Sequence, residues 1–196
     1  MTKPTRIRPG IPDPGSDVVA LLIGQHGEIR NLFDTVERTV GDERKEAFRQ
    51  LVRLLAMHET AEEEVVHPYA RTAFDGGEQV VKDRLGEERD AEEVLSRLDG
   101  MDPGDPSFLP QLMDLRTQVM THARAEERYE FAQLRRNSTP AQLLAMAKAV
   151  KAAEAIAPTH PHPGVRTGAA NLLVGPFAAV VDRTRDAVRK AMGKDR

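Results

Sequence analysis

The chain has 196 residues, enough for one domain with its own core plus an extension. Its 28 basic and 31 acidic residues leave a formal charge of −3, which argues against nucleic-acid or anionic-membrane binding driven by bulk charge. With no cysteine, disulfides, thiolate metal sites, iron–sulfur clusters and cysteine nucleophiles are excluded; a metal would need His, Asp, Glu or Tyr, a donor set that suits iron, manganese or zinc.

Residues 1–16 hold four prolines and two glycines and read as an extended arm without the apolar core of a signal peptide. No stretch approaches the roughly 18 apolar residues of a membrane span, so a cytoplasmic protein is expected. Ser16 or Asp17 can cap a first helix, whose apolar residues Val19, Leu22, Ile29, Phe33, Val36 and Val40 recur at helical spacing. A second helix is predicted over about 43–74, stopping near Asp75-Gly76-Gly77. A third covers about 78–99, with Val81, Leu85, Leu95 and Leu98 on one stripe. After the turn-rich DGMDPGDPS, Ser107 is positioned to cap a fourth over about 108–136, with Leu112, Leu115, Val119 and Tyr129 inward. Four such helices with short loops predict an all-α, up-down-up-down four-helix bundle over residues 17–136. The remainder, 137–196, reads as a helical C-terminal extension. It comprises an Ala-rich helix to about 156, the proline-broken PTHPHPG, and the amphipathic segment NLLVGPFAAVVDRTRDAVRKAM.

The histidines carry the chemistry. His26 falls on the apolar face of the first helix. His58 and Glu62 are four apart in the second, hence about 40° apart on the face of Leu51, Leu55, Val65 and Tyr69. His122 and Glu126 repeat that pair in the fourth. A lone inward histidine is more often a hydrogen-bonded core residue than a ligand. Three aimed at one axis, two with a carboxylate a turn later, point to a metal, because buried carboxylates without a cation are costly. In the third helix Glu88 and Glu92 occupy the inward polar positions, Glu88 the better placed between Leu85 and Leu95. Arg84 and Arg89 are available to neutralise them. So many donors exceed the needs of one ion and suit two, bridged by Glu62 and Glu126.

Other polar residues rank lower. Glu63 and Glu127 lie about 140° from their histidines in a regular helix and read as solvated or outer residues, unless a π-bulge turns Glu127 in. His67 is about 180° from His58 and reads as surface or loop-adjacent. Pro68 marks a bend. Tyr69 is expected to pack inward with a partner for its hydroxyl. His160 and His162 read as part of a turn packed on the bundle.

Three elements in order, LLIGQHGEIR, MHETAEEEVVHPYAR and THARAEERYEF, resemble the hemerythrin-like (HHE cation-binding) family. The resemblance implies a four-helix bundle enclosing two carboxylate-bridged irons. His26, His58, Glu62 and His122 match family ligands, and the second bridge falls on Glu126, or on Glu127 where the family spaces it five residues on. Helix three departs from the pattern. Oxygen-carrying members place a His-x-x-x-His pair there, whereas this chain has EERDAEE. Carboxylates in place of imidazoles should favour ferric iron and disfavour reversible oxygen carriage.

The resulting expectation is a di-iron protein that reacts with oxygen, peroxide or nitric oxide in sensing, scavenging or iron buffering, without nucleic-acid partners. One alternative is a di-iron enzyme that decomposes peroxide or acts as an oxidase. Another is an interaction module working through the last amphipathic helix.

Overall fold

The computed structural model describes residues 17–155 and 157. The N-terminal arm, PTHPHPG with His160 and His162, and the last amphipathic segment lie outside the described residues. Among those described there is no strand, and no helix is long and apolar enough to cross a membrane.

Four rods form a bundle. The first is α1 (Val18–Arg38). The second is α2 (Gly41–Ala61), which passes through a π-helical segment (Glu62–Val66) into α3 (His67–Ala73). The third is α4 (Gly77–Asp99). The fourth is α5 (Phe108–Ala125), which passes through a second π segment (Glu126–Glu130) into α6 (Phe131–Asn137). A further helix, α7 (Pro140–Glu154), packs across α1, α2 and the first π segment.

Local chemistry sets the ends. Asp17 caps α1, its Oδ1 accepting from the Ala20 N–H at 2.8 Å. Thr139 and Gln142 form a capping box at the start of α7, with Pro140 at the first helical position. Ser107 does not cap α5 as expected: its hydroxyl donates to Asp105 Oδ1 at 2.7 Å and is used up in the loop. The second and third rods meet at Gly76, at φ +84°, and Gly77, where a Cβ would lie 2.2 Å from the Ala70 carbonyl oxygen. At the opposite end Arg44 donates to Thr39 O (2.8 Å) and Pro103 O (3.1 Å), tying the first loop to the third. Both loops therefore lie at one end, as an up-down-up-down path requires.

The core is divided. One apolar cluster, with Val18, Leu22, Val66, Val81, Phe131 and Leu134, is capped by Met146 and Val150 of α7. The other, with Ile29, Phe33, Leu51, Leu55, Leu95, Phe108, Leu112 and Leu115, fills the opposite half. Each side chain in these sets gains about 1.5–3 kcal/mol from leaving water. Along every rod the switch from one cluster to the other passes a polar residue: His26 between Leu22 and Ile29, His58 and Glu62 between Leu55 and Val65, Glu88 between Val81 and Ala91, His122 and Glu126 between Val119 and Phe131.

Two apolar expectations fail at chain-level details. Val40 is 73% exposed because α1 ends before it and it precedes Gly41 in the turn. Tyr129 is 52% exposed, with Arg128 over its ring. The π segment inserts a residue there, so Glu130 and Phe131 turn inward in its place. Tyr69 packs inward as expected, its hydroxyl 2.9 Å from Ser138 Oγ.

Candidate metal centre

The polar layer brings together all six residues that the sequence pattern selects. His26, His58, Glu62 and Glu126 form one group of donors; Glu62, Glu88, His122 and Glu126 form a second, and in each the donor atoms lie within 4.8 Å of one another. All six side chains are buried, with Glu62 and Glu126 fully enclosed. The two groups share Glu62 and Glu126.

The histidine rings are oriented from outside. His26 Nδ1 donates to Glu127 Oε1 at 2.9 Å, His58 Nδ1 to Gln25 Oε1 at 2.8 Å, and His122 Nδ1 to Glu87 Oε2 at 3.0 Å. Gln25 is braced by Glu154 of α7, and Glu87 by Arg84 at 2.8 Å. With Nδ1 so occupied, each ring turns Nε2 to the centre: 3.3 Å from Glu126 for His26, 3.3 Å from Glu62 for His58, and 3.3 Å from Glu126 for His122. This is the arrangement in which an outer acceptor fixes the tautomer of a metal-binding imidazole.

The electrostatics call for a cation. All four oxygens of Glu62 and Glu126, Glu88 Oε2, and Nε2 of His26 and His122 are buried without a hydrogen-bond partner among the described residues. Burial and the neighbouring Glu126 push the Glu62 carboxyl well above its usual range. Burial acts on Glu126 in the same sense, but the His122 and His26 rings beside it hold it well below. In the metal-free protein Glu126 is thus the ionised member of the pair. His58, desolvated and next to His26, is pushed down to about 3 and is neutral, as a ligand must be. A buried donor set of this kind, unsatisfied internally and rich in carboxylate, fits metal cations.

Glu92 is half-buried and joins neither group. Glu127 stays 40% exposed and acts through its bond to His26, although the fourth rod does contain a π segment. Arg84 pairs with Glu87 and Arg89 is exposed, so neither takes the expected role of neutralising Glu88.

His67 corrects the sequence reading. It is only 1% exposed and sits between Glu130 (Nδ1 to Oε1, 3.0 Å) and Glu88 (Nε2 to Oε1, 2.7 Å). The extra residue of the first π segment shifts its phase by about 100°, from opposite His58 to about 40° from Glu62. Pro68 was the available signal. It lacks the N–H that a regular helix needs, so a register defect just before it is the physical expectation.

Comparison with known proteins agrees with this geometry. The family model described as hemerythrin HHE cation binding domain matches residues 17–134, a span that includes the six donors and all of the four rods but the last turn of the fourth. The chain belongs to the hemerythrin HHE cation-binding family. An uncharacterized hemerythrin-like protein of Schizosaccharomyces pombe is 30% identical to this HHE chain over 144 residues, 72% of this chain and 70% of the relative. A DNA nickase of Nostoc sp. is 29% identical over 130 residues, 66% of this chain but only 36% of that protein. The crystal structure of an HHE cation-binding domain-containing protein from Mycobacterium kansasii shares the fold, with a TM-score of 0.61 at 20% identity, covering 86% of this chain and 98% of that one.

Proposed function

We propose that this HHE protein is a non-haem di-iron protein whose ligand is oxygen, peroxide or nitric oxide, serving in sensing, scavenging or iron buffering. The observation that carries the reading is the pair of donor groups sharing Glu62 and Glu126, since two shared carboxylates are what a bridged pair of ions needs. His26 and His58 would hold one iron, His122 and Glu88 the other. Bound iron supplies a redox change and an open coordination position for a small ligand.

The rest is the work of the chain. Gln25, Glu127 and Glu87 hold the three rings in register. Glu62, Glu88 and Glu126 supply three anionic donors, which favour the ferric state. A cavity of about 10 Å³, room for a single water-sized molecule, touches the centre and is walled by Ile29, Leu55, Ala91, Val119 and Ala123 beside the histidines. Its size and mainly apolar lining, with Glu59 and Glu88 as its carboxyl groups, suit a ligand of one or two non-hydrogen atoms and disfavour larger substrates.

Metal analysis of the purified chain alongside its visible spectrum tests the reading. Close to two irons per chain with an oxo-bridge absorption is the expected result; one metal or none after anaerobic iron loading overturns it. A stoichiometric spectral change with peroxide fits sensing or buffering, whereas many turnovers with oxygen release would move the protein to the enzymes.

A further inference from the structure

The two halves of the centre are built on one plan with one exchange. In the second rod the order is His58, Glu62, π segment, His67; in the fourth it is His122, Glu126, π segment, Phe131. His67 and Phe131 therefore occupy equivalent positions, each directly after its π segment, with its backbone N–H bonded to the carbonyl of the shared glutamate. Phe131 stacks on His26, the imidazole supplied by α1, with centroids 5.7 Å apart and planes 15° apart. His67 faces Glu88, the carboxylate supplied by α4. One half thus has imidazole on the flanking rod and an apolar ring after the π segment; the other has carboxylate on the flanking rod and imidazole after the π segment.

His67 also follows the pattern of the other three rings. Its Nδ1 donates to the fully buried carboxylate of Glu130, as those of His26, His58 and His122 donate to Glu127, Gln25 and Glu87. Its Nε2 lies 2.7 Å from Glu88 Oε1; Glu88 belongs to the second donor group, which His67 adjoins without being a member. The other oxygen of Glu88 is buried without a partner among the described residues.

We infer that His67 is a ligand of the second metal position, alongside Glu88 and His122, and replaces the imidazole that α4 lacks. This rests on the two-metal reading above. It balances the centre: each position then has two imidazoles and the two shared carboxylates, and Glu88 is an added anionic donor on the second. A purely structural His67, wedged as an ion pair between Glu88 and Glu130, would leave the second position with one imidazole.

Cobalt(II) loading of the full chain, followed by proton NMR, separates these outcomes, because a paramagnetic ion displaces the ring N–H resonances of the imidazoles bound to it. Two cobalts per chain and four displaced, exchangeable ring N–H resonances are expected in the unaltered protein. His67→Gln should show three, with cobalt content falling from two toward one. Two cobalts with only three such resonances in the unaltered protein overturn the inference and leave the two-metal reading standing, as do four resonances that persist in His67→Gln. Fewer than two cobalts in the unaltered chain overturn both. The count on the unaltered chain stands even if His67→Gln does not fold.

Discussion

Glu62 and Glu126 face one another across the bundle from the second and fourth rods, each four residues after a histidine and each opening a π-helical segment. They are the only residues common to both donor groups among the described residues, and neither has a hydrogen-bond partner. Their burial therefore serves the cation and costs the fold. Glu62→Gln should lower metal content below two per chain, while the metal-free variant should melt at the same temperature as the metal-free parent or higher, because an amide is not penalised by charge burial. Metal content by mass spectrometry and calorimetry of both forms check this; a metal-free variant that melts several degrees lower contradicts it.

Metal uptake should release protons. Burial and Glu126 hold the Glu62 carboxyl well above its usual value, and burial with Glu88 nearby raises Glu63 to about 7. Burial opposes the charging of His67 and His122, but Glu88 and Glu130 around the first, and Glu126 around the second, raise both well above 6.5. Each raised group contributes stability below its unfolded value that is lost as pH rises through its folded value. His58, depressed to about 3, acts in the opposite sense but only below 6.5. Above 6.5 these groups pull together, and the metal-free protein should lose stability as pH rises to 8. A cation takes the place of the protons on the donors Glu62 and His122, so the gain in melting temperature on metal binding should grow over the same range, by at least about 3 °C, or about 1 kcal/mol for a chain of this size. Melting curves at pH 6.5 and 8, with and without metal, read it directly.

Helical phase was legible in the sequence wherever the helix is regular. His26, His58, Glu62, His122 and Glu126 could be placed inward because 3.6-residue periodicity relates them to Leu22, Leu55 and Val119 on the same faces. Glu88 was legible for the same reason. Beyond Glu62 and Glu126 the period fails, because each π segment adds a residue, and so His67 and Tyr129 were both placed on the wrong side. The outer residues Gln25, Glu87 and Glu130 were not legible: their roles depend on distances between rods, which no single-helix pattern contains.

The outer hydrogen bonds predict graded losses. Gln25→Ala frees His58 Nδ1 and removes the brace to Glu154, so metal should bind about 10–100-fold more weakly while the fold persists. Glu127→Ala should act similarly through His26. Competition against a coloured chelator gives the affinities, and circular dichroism confirms the helices. Unchanged affinity in both variants would mean that the rings are held by packing alone.

Ligand access should respond to the cavity wall. Ala91 is 4% exposed and lines the cavity together with Val119. Ala91→Leu fills that space at an overpacking cost of about 1–3 kcal/mol and leaves every donor in place. Metal content should stay at the parental value, while stopped-flow reaction with peroxide or nitric oxide slows severalfold. An unchanged rate would indicate that ligand enters by another route.

Gly77 offers a test of the fold apart from the metal. A Cβ there would lie 2.2 Å from the Ala70 carbonyl oxygen and 3.1 Å from that of Arg71, both rigid backbone atoms. Gly77→Ala must push α4 away from α3, which should cost about 1–3 kcal/mol, or several degrees in melting temperature. Gly76→Ala should cost about 1 kcal/mol for a different reason, its φ of +84° with no atom in the way. Because α4 carries Glu88 and Glu87, displacement of α4 in Gly77→Ala should weaken the second metal position more than the first, whereas Gly76→Ala should lower stability without that bias. Stepwise metal titration followed by melting of each variant distinguishes them; equal loss at both positions in Gly77→Ala would show that the third rod moves without carrying its donors away.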